Sequence, residues 1–139
     1  MVLGGLDEVA VVGGLATSLE AGGRMDSEQA ADALLGDATD RVVVKLGAEG
    51  ALQRRSDGST IRAAAFPVAQ VADPVGAGDA FSAGYIALTL EGADAHMALR
   101  AGNACGAAVV ASVGDLAGLP TRTELDALLA GPGGPDTIR

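Results

Sequence analysis

The sequence predicts an α/β layered fold, and three observations predict it. Val42-Val43-Val44 is a β-branched run bounded by polar residues and Gly47, too short for a helix and suited to a buried strand. Ser56-Asp57-Gly58-Ser59 separates two strand candidates with an Asp-Gly hairpin signal. Helical stretches with start and stop signals alternate with these strands, and such interleaving packs as layers.

In chain order, residues 1–5 read as the tail of a strand ending in Gly4-Gly5. Leu6, Val9, Ala10 and Leu15 have the spacing of a short helix over 6–15. Residues 21–24, Ala-Gly-Gly-Arg, read as a loop. Asp26 with Gln29 is an N-cap pair, opening a helix with Ala30, Ala33, Leu34 and Leu35 on one side and its end at Gly36. A strand over 41–46 follows, then strands over 51–55 and 60–65. Pro67 demotes what comes next to an edge strand or a connector. From Gly78 to Glu91 the positions Phe81, Tyr85 and Leu88 recur at helical spacing, and Gly92 stops the helix. Asp94 caps a second long helix reaching about Val110. Thr121 and Glu124 form a capping box for a third, with Leu125, Leu128 and Leu129 on its buried face. One domain over 1–131 and a flexible Gly/Pro tail over 132–139 are expected. So few strands make a narrow sheet, which points to a larger whole.

Composition narrows the function. Of 139 residues, 49% are hydrophobic but only 2% aromatic, so the core must be built from Ala, Val and Leu. Small side chains bury little area each, and helices must approach closely to fill space. The net charge of −9 carries no basic stripe for nucleic acid. No stretch has the length of a membrane span, no signal peptide is visible, and the longest apolar segment, 104–113, is broken by Gly106 and Ser112. Cys105 is the single cysteine, reads as a buried small hydrophobe, and suits a reducing, cytoplasmic setting. With one histidine, His96, expected to face solvent, and one cysteine there is no zinc constellation.

The chemistry centres on Val75-Gly76-Ala77-Gly78-Asp79, a glycine-rich turn directly before a helix. Glycines leave backbone N–H groups uncovered, and the helix adds its own N–H groups and the positive end of its dipole. Together these cradle a phosphoryl group, with Asp79 placed to take a proton from an attacking hydroxyl. On physics alone a second reading weighs equally. Asp is favoured in the first turn of any helix, and Gly-x-Gly is a common turn. The run is not a Walker loop, since no Lys-Ser or Lys-Thr follows, and Phe81 stands where a dinucleotide fingerprint needs Gly.

Asp73-Pro74-Val75-Gly76-Ala77-Gly78-Asp79-Ala80-Phe81 closely resembles the signature of ribokinase-like (PfkB family) carbohydrate kinases, with Pro74 where Thr is commoner. The resemblance implies a three-layer αβα sandwich and transfer of phosphate from ATP to a sugar hydroxyl. It implies Gly76, Ala77 and Gly78 as the anion hole and Asp79 as the catalytic base. Residues 42–50, Val-Val-Val-Lys-Leu-Gly-Ala-Glu-Gly, resemble the family's strand and turn beside the nucleotide phosphates, placing Gly47 and Gly50 there. The same run also suits a plain strand-to-hairpin turn. Lys45, where the family often has Thr, meets a phosphate as a point charge or lies on the surface.

Residues 102–108 resemble the helix along the nucleotide. Asn103 either lies near adenosine or bonds a neighbouring loop. Asp73, with backbone carbonyls near Val75 and at 112–114, resembles a monovalent-cation site, and Asp73 equally suits a turn cap. The stretch from Gly114-Asp115 to Arg122 is similar to the 2-keto-3-deoxygluconate kinase branch. Glu8 matches the family's Asn-x-x-Glu motif, but Gly5 replaces its Asn.

The implied cofactors are ATP and Mg2+, with K+ at the cation site. The implied substrates are ATP and a small sugar or sugar acid. The resemblance covers the C-terminal part of the family pattern. A homodimer or a separate N-terminal half is the expected protein partner. Two rival functions are a non-catalytic nucleotide-binding fragment and a nucleoside kinase of the same superfamily.

Overall fold

A computed structural model describes residues 1–15, 26–112 and 118–131. The backbone divides into two compact units, Met1–Arg62 and Ala63–Arg139. The loop expected at 21–24, the parts of the cation site and branch signature that fall on 113–117, and the tail expected at 132–139 lie outside the described residues.

The first unit holds strands β1 (Val2–Gly5), β2 (Arg41–Lys45) and β3 (Ala51–Arg55), with β4 (Thr60–Ala63) beginning at its end. Their order across the sheet is β1-β2-β3-β4. β1 runs parallel to β2, with Val2 opposite Val42 and Gly5 opposite Lys45. β2 runs antiparallel to β3, with Arg41 opposite Arg55 and Lys45 opposite Ala51. Among the described residues, the short helices α1 (Leu6–Val12) and α2 (Ser27–Asp32) lie in the chain between the parallel strands. Their residues Val9, Ala10, Ala30 and Ala31 form one buried cluster with Val42, Val44 and Leu52. Val43 points to the other face by strand alternation and is also fully buried, so β2 is covered on both sides as its continuous Val run implies.

Local chemistry sets the boundaries. α1 stops at Val12 rather than running on to Leu15. Gly14 N–H donates to the Val11 carbonyl and Leu15 N–H to the Ala10 carbonyl, the paired bonds of a Schellman end. Asp26 caps α2 by accepting from Glu28 N–H at 3.0 Å. α2 ends at Asp32, four residues before Gly36. Leu34 and Leu35 N–H bond only three residues back, which tightens the chain out of the helix. Its buried pair is Ala30 and Ala31, whereas Ala33 is exposed and Leu34 and Leu35 are half-buried. The expected face was therefore rotated, because the helix is too short for its period to decide.

Between β3 and β4 the hairpin forms as the Asp-Gly pair predicts. Arg55 N–H donates to the Ser59 carbonyl at 3.0 Å, and Asp57 accepts from Ser59 N–H at 2.8 Å. Arg54 ties this hairpin to α2. Its Nε and Nη2 meet both carboxylate oxygens of Asp32 at 2.7 and 3.1 Å, and Nη1 reaches the Gly58 carbonyl at 2.7 Å. The bidentate geometry fixes orientation as well as charge.

In the second unit, residues 64–76 form a connector without helix or strand, as Pro67 leads one to expect. It enters α3 (Ala77–Leu90), followed by α4 (Ala95–Val110) and α5 (Arg122–Ala130). Asp94 caps α4 through Met97 N–H at 2.8 Å, and Thr121 with Glu124 forms the expected capping box on α5. α3 and α4 pack with almost no space between them. A Cβ at Gly84 would fall 2.7 Å from Cys105 Sγ and 2.8 Å from the Ala101 carbonyl oxygen. One at Gly102 would fall 2.8 Å from the Phe81 ring. The close approach required by an Ala/Gly core is realised here. Phe81 and Tyr85 stack with centroids 6.3 Å apart and planes within 6°.

On α5 only Leu125 is buried. Leu128 is 38% exposed, so the expected three-leucine face is narrower than the spacing implied. Cys105 is buried as expected, and burial pushes its thiol pKa up. His96 is half-buried rather than fully solvent-facing.

Candidate functional site

The glycine-rich turn sits where the connector becomes α3. Gly76 is its N-cap and adopts φ +80°, ψ −13°, a left-handed conformation that a side chain resists. Ahead of it, Asp73 accepts from Val75 N–H through Oδ1 at 2.9 Å, a local turn that fixes the approach. Ala77 N–H donates to the Pro74 carbonyl at 3.3 Å, so this donor, expected to face phosphate, already has a long internal bond. Asp79 lies in the first turn of α3 and is exposed. Carboxylate and helix N-terminus thus share one end of a 14-residue helix.

α4 supports this turn from behind. A Cβ at Gly106 would come within 3.2 Å of the Ala77 carbonyl oxygen, so the two backbones nearly touch. The Val110 carbonyl accepts from both Ala72 N–H at 2.9 Å and Asp73 N–H at 3.3 Å. Nearly two turns back along α4 from Val110, Asn103 is 7% exposed. Its Nδ2 donates to the Ala63 and Ala64 carbonyls, both at 3.0 Å. Of the two placements open for Asn103, the structure displays the loop bond.

The other expected residues belong to the first unit. Lys45 ends β2, a short 3-10 turn spans Gly47–Glu49, and Gly50 takes φ +99°, ψ −130°, a conformation reserved for glycine. Leu46 N–H donates to the Gly50 carbonyl at 2.8 Å and closes the turn. A cleft of about 510 Å³ opens here, lined by Gly5, Leu6, Asp7, Glu8, Lys45, Leu46 and Glu49. It lies at the carboxyl ends of two parallel strands, the usual place for a ligand in such sheets. Glu8 Oε2 accepts from Gly5 N–H at 2.7 Å, capping the start of α1. Sequence reading singled out Glu8 and Lys45 separately but missed Asp7 and Glu49. The signal that joins them is the register pairing Gly5 with Lys45.

The expected site residues are therefore distributed over both units. Lys45, Gly47 and Gly50 lie in the first, and Asp73, Val75, Gly76 to Asp79 and Asn103 in the second. Among the described residues no three or more His, Cys, Asp or Glu side chains gather as a metal site, and no helix is long and apolar enough to cross a membrane.

Comparison with known proteins gives the site its context. A family model described as pfkB family carbohydrate kinase matches residues 10–122. A 2-dehydro-3-deoxygluconokinase of Bacillus subtilis is 38% identical over 108 residues, covering 78% of this chain and 33% of that protein. The crystal structure of a ribokinase from Thermotoga maritima is similar with a TM-score of 0.76 and 26% identity, covering 93% of this chain and 41% of that one. A Burkholderia thailandensis nucleoside kinase in complex with inosine is similar with a TM-score of 0.70 and 27% identity, over 90% of this chain and 37% of that one. The chain spans about a third of the length of the curated relatives it matches. Its fold is ribokinase-like α/β.

Proposed function

Since this chain belongs to the pfkB family of carbohydrate kinases, we propose that it carries the ATP site and catalytic base of a kinase acting on a hydroxyl of a sugar acid. The observation that carries the reading is Gly76 at φ +80° leading into α3 with exposed Asp79 in the first turn. In this reading the turn's backbone and the α3 N-terminus hold the transferring phosphoryl group. Asp79 accepts the proton of the attacking hydroxyl. Lys45, Gly47 and Gly50 face the nucleotide phosphates, Lys45 as a point charge in its cleft. Magnesium arrives with ATP and neutralises charge on the phosphates. In the Lys45 cleft, Glu8 is oriented by its bond to Gly5. A sugar acid is favoured over a neutral sugar by the similarity to the 2-dehydro-3-deoxygluconokinase.

A monovalent cation beside Asp73 belongs to the same proposal. Asp73 is half-buried, and its Oδ1 is already used by Val75 N–H. A single carboxylate so engaged suits a weakly held K+ better than a divalent ion. Replacing KCl by choline chloride tests it through ATP affinity.

The decisive experiment is calorimetric titration of the chain with magnesium–ATP, followed by ATP turnover against 2-keto-3-deoxygluconate, ribose and inosine. Saturable binding with turnover on the sugar acid supports the proposal. Turnover on inosine alone supports the nucleoside kinase reading, which the similarity to the inosine-bound enzyme favours. Binding without turnover supports the non-catalytic reading. A cooperatively melting chain that binds no ATP refutes the nucleotide site.

A further inference from the structure

Pro74, which replaces the commoner Thr of the signature, sits where the glycine-rich turn is least supported by its surroundings. Upstream, Ala72 and Asp73 N–H both donate to the Val110 carbonyl on α4, at 2.9 and 3.3 Å. Downstream, Ala80 N–H donates to the Gly76 carbonyl at 2.9 Å, and a Cβ at Gly106 would come within 3.2 Å of the Ala77 carbonyl oxygen. Between these anchors Pro74 and Val75 are both exposed, Val75 by 58%. Packing therefore contributes little to the shape of the chain here, and local backbone constraints must hold it.

Two bonds do so, and both involve Pro74. Val75 N–H donates to Asp73 Oδ1 at 2.9 Å, an Asx turn with Pro74 as its middle residue. Ala77 N–H donates to the Pro74 carbonyl at 3.3 Å, a second turn with Val75 and Gly76 at its centre. Gly76 at φ +80°, ψ −13° matches the third residue of a type II turn. The second bond is long, so the Asx turn and the proline ring carry most of the constraint. The ring locks φ of Pro74 near about −65° and leaves no N–H to compete for the Asp73 carboxylate. It also biases Asp73 away from helical angles. A Thr at this position would free φ and let the turn sample other shapes before a ligand arrives.

We propose that Pro74 is a positioning residue, which presets the glycine-rich turn in the free chain so that the ligand at the start of α3 meets a formed cradle. The identity of that ligand rests on the kinase reading, whereas the presetting does not. A ligand that selects a formed turn binds at a rate scaled by the fraction of chains in which the turn is formed, and its escape rate is unaffected. Loosening the turn therefore lowers kon and leaves koff alone. A role in global stability alone would move neither rate.

The test is Pro74→Ala in the full chain. Stopped flow gives kon and koff for a fluorescent ATP analogue with magnesium, and hydrogen exchange follows the Val75 and Ala77 amides without ligand. Restoring backbone freedom to one residue is expected to lower kon about 2- to 5-fold with koff unchanged, and to speed both amides by a similar factor. Unchanged kon or unchanged exchange overturns the proposal. So does a rise in koff, which would make Pro74 part of the bound site. Should the unsubstituted chain not bind the analogue, the kinase reading fails by itself. Exchange then decides the presetting: faster amides at Val75 and Ala77 uphold it and unchanged amides overturn it. If Pro74→Ala does not fold, Pro74→Thr, the commoner residue of the signature, is read in the same way.

Discussion

Gly84→Ala sets two opposed effects against each other at one position. In an unpacked helix the change would stabilise α3 by about 1 kcal/mol, because alanine loses less backbone freedom than glycine. At Gly84 the new methyl would meet Cys105 Sγ at 2.7 Å, the Ala101 carbonyl oxygen at 2.8 Å and the Ala101 carbonyl carbon at 3.1 Å. Two of these three atoms are backbone of α4 and cannot swing aside, so the helices must separate. Overpacking of this kind costs roughly 1–3 kcal/mol, and a backbone obstacle puts it near the upper end. The net expectation is destabilisation by about 1–2 kcal/mol. Urea unfolding followed by far-ultraviolet circular dichroism reads it as a midpoint lowered by roughly 0.5–1 M. Adding Cys105→Ala should restore only part of the loss, since the Ala101 carbonyl remains. A midpoint that rises in Gly84→Ala would refute the close packing of α3 on α4.

Three further outcomes follow from the site and the caps. Gly76→Ala forces a methyl-bearing residue to φ +80° and should lower stability by roughly 1–2 kcal/mol, with weaker ATP binding seen by calorimetry. Asp79→Asn should leave ATP affinity nearly unchanged and lower turnover on the acceptor by about 100-fold or more, and wild-type turnover would remove Asp79 from the base role. Glu124 is held below the ordinary carboxylate range, chiefly by the backbone N–H of Thr121 and then by its hydroxyl. A depressed folded pKa contributes stability that is present above the unfolded value, roughly 4.3, and is lost as pH falls through the folded one. Melting of Glu124→Gln should therefore lose less than the parent chain between neutral pH and about pH 3, and an identical acid profile would contradict the capping box.

The elements that were legible in the sequence carry their own local chemistry. Val42 to Val44, the Asp57-Gly58 hairpin, the Asp94 and Thr121 caps and the Gly92 stop each name their structure within a few residues. Phe81, Tyr85 and Leu88 are all buried, as a helix of that length allows. The short α2 is different: six residues hold under two turns, and Ala31 rather than Ala33 turns inward because tertiary packing chose the face. Leu128 on α5 failed for the related reason that one buried neighbour, Leu125, satisfies what that helix covers. The glycine-rich turn could be read from its residues, whereas the cleft around Glu8 and Lys45 could not. It arises from the register of β1 on β2, which joins positions 40 apart in the chain. Asn103 illustrates the same limit, since its partners lie 40 and 39 residues away.

The stacked ring pair also makes the molecule its own reporter. The sequence has one tyrosine, two phenylalanines and no tryptophan. Phe66, Phe81 and Tyr85 all fall in the second unit, and Tyr85 is fully buried between α3 and its neighbours. Near-ultraviolet ellipticity and tyrosine emission are therefore blind to residues 1–62 and watch only the helices behind the glycine-rich turn. Far-ultraviolet ellipticity sums over both units. Running the two signals through one melt separates the unfolding of α3 and α4 from that of the sheet without a label, and coincident curves would show that the two units unfold as one.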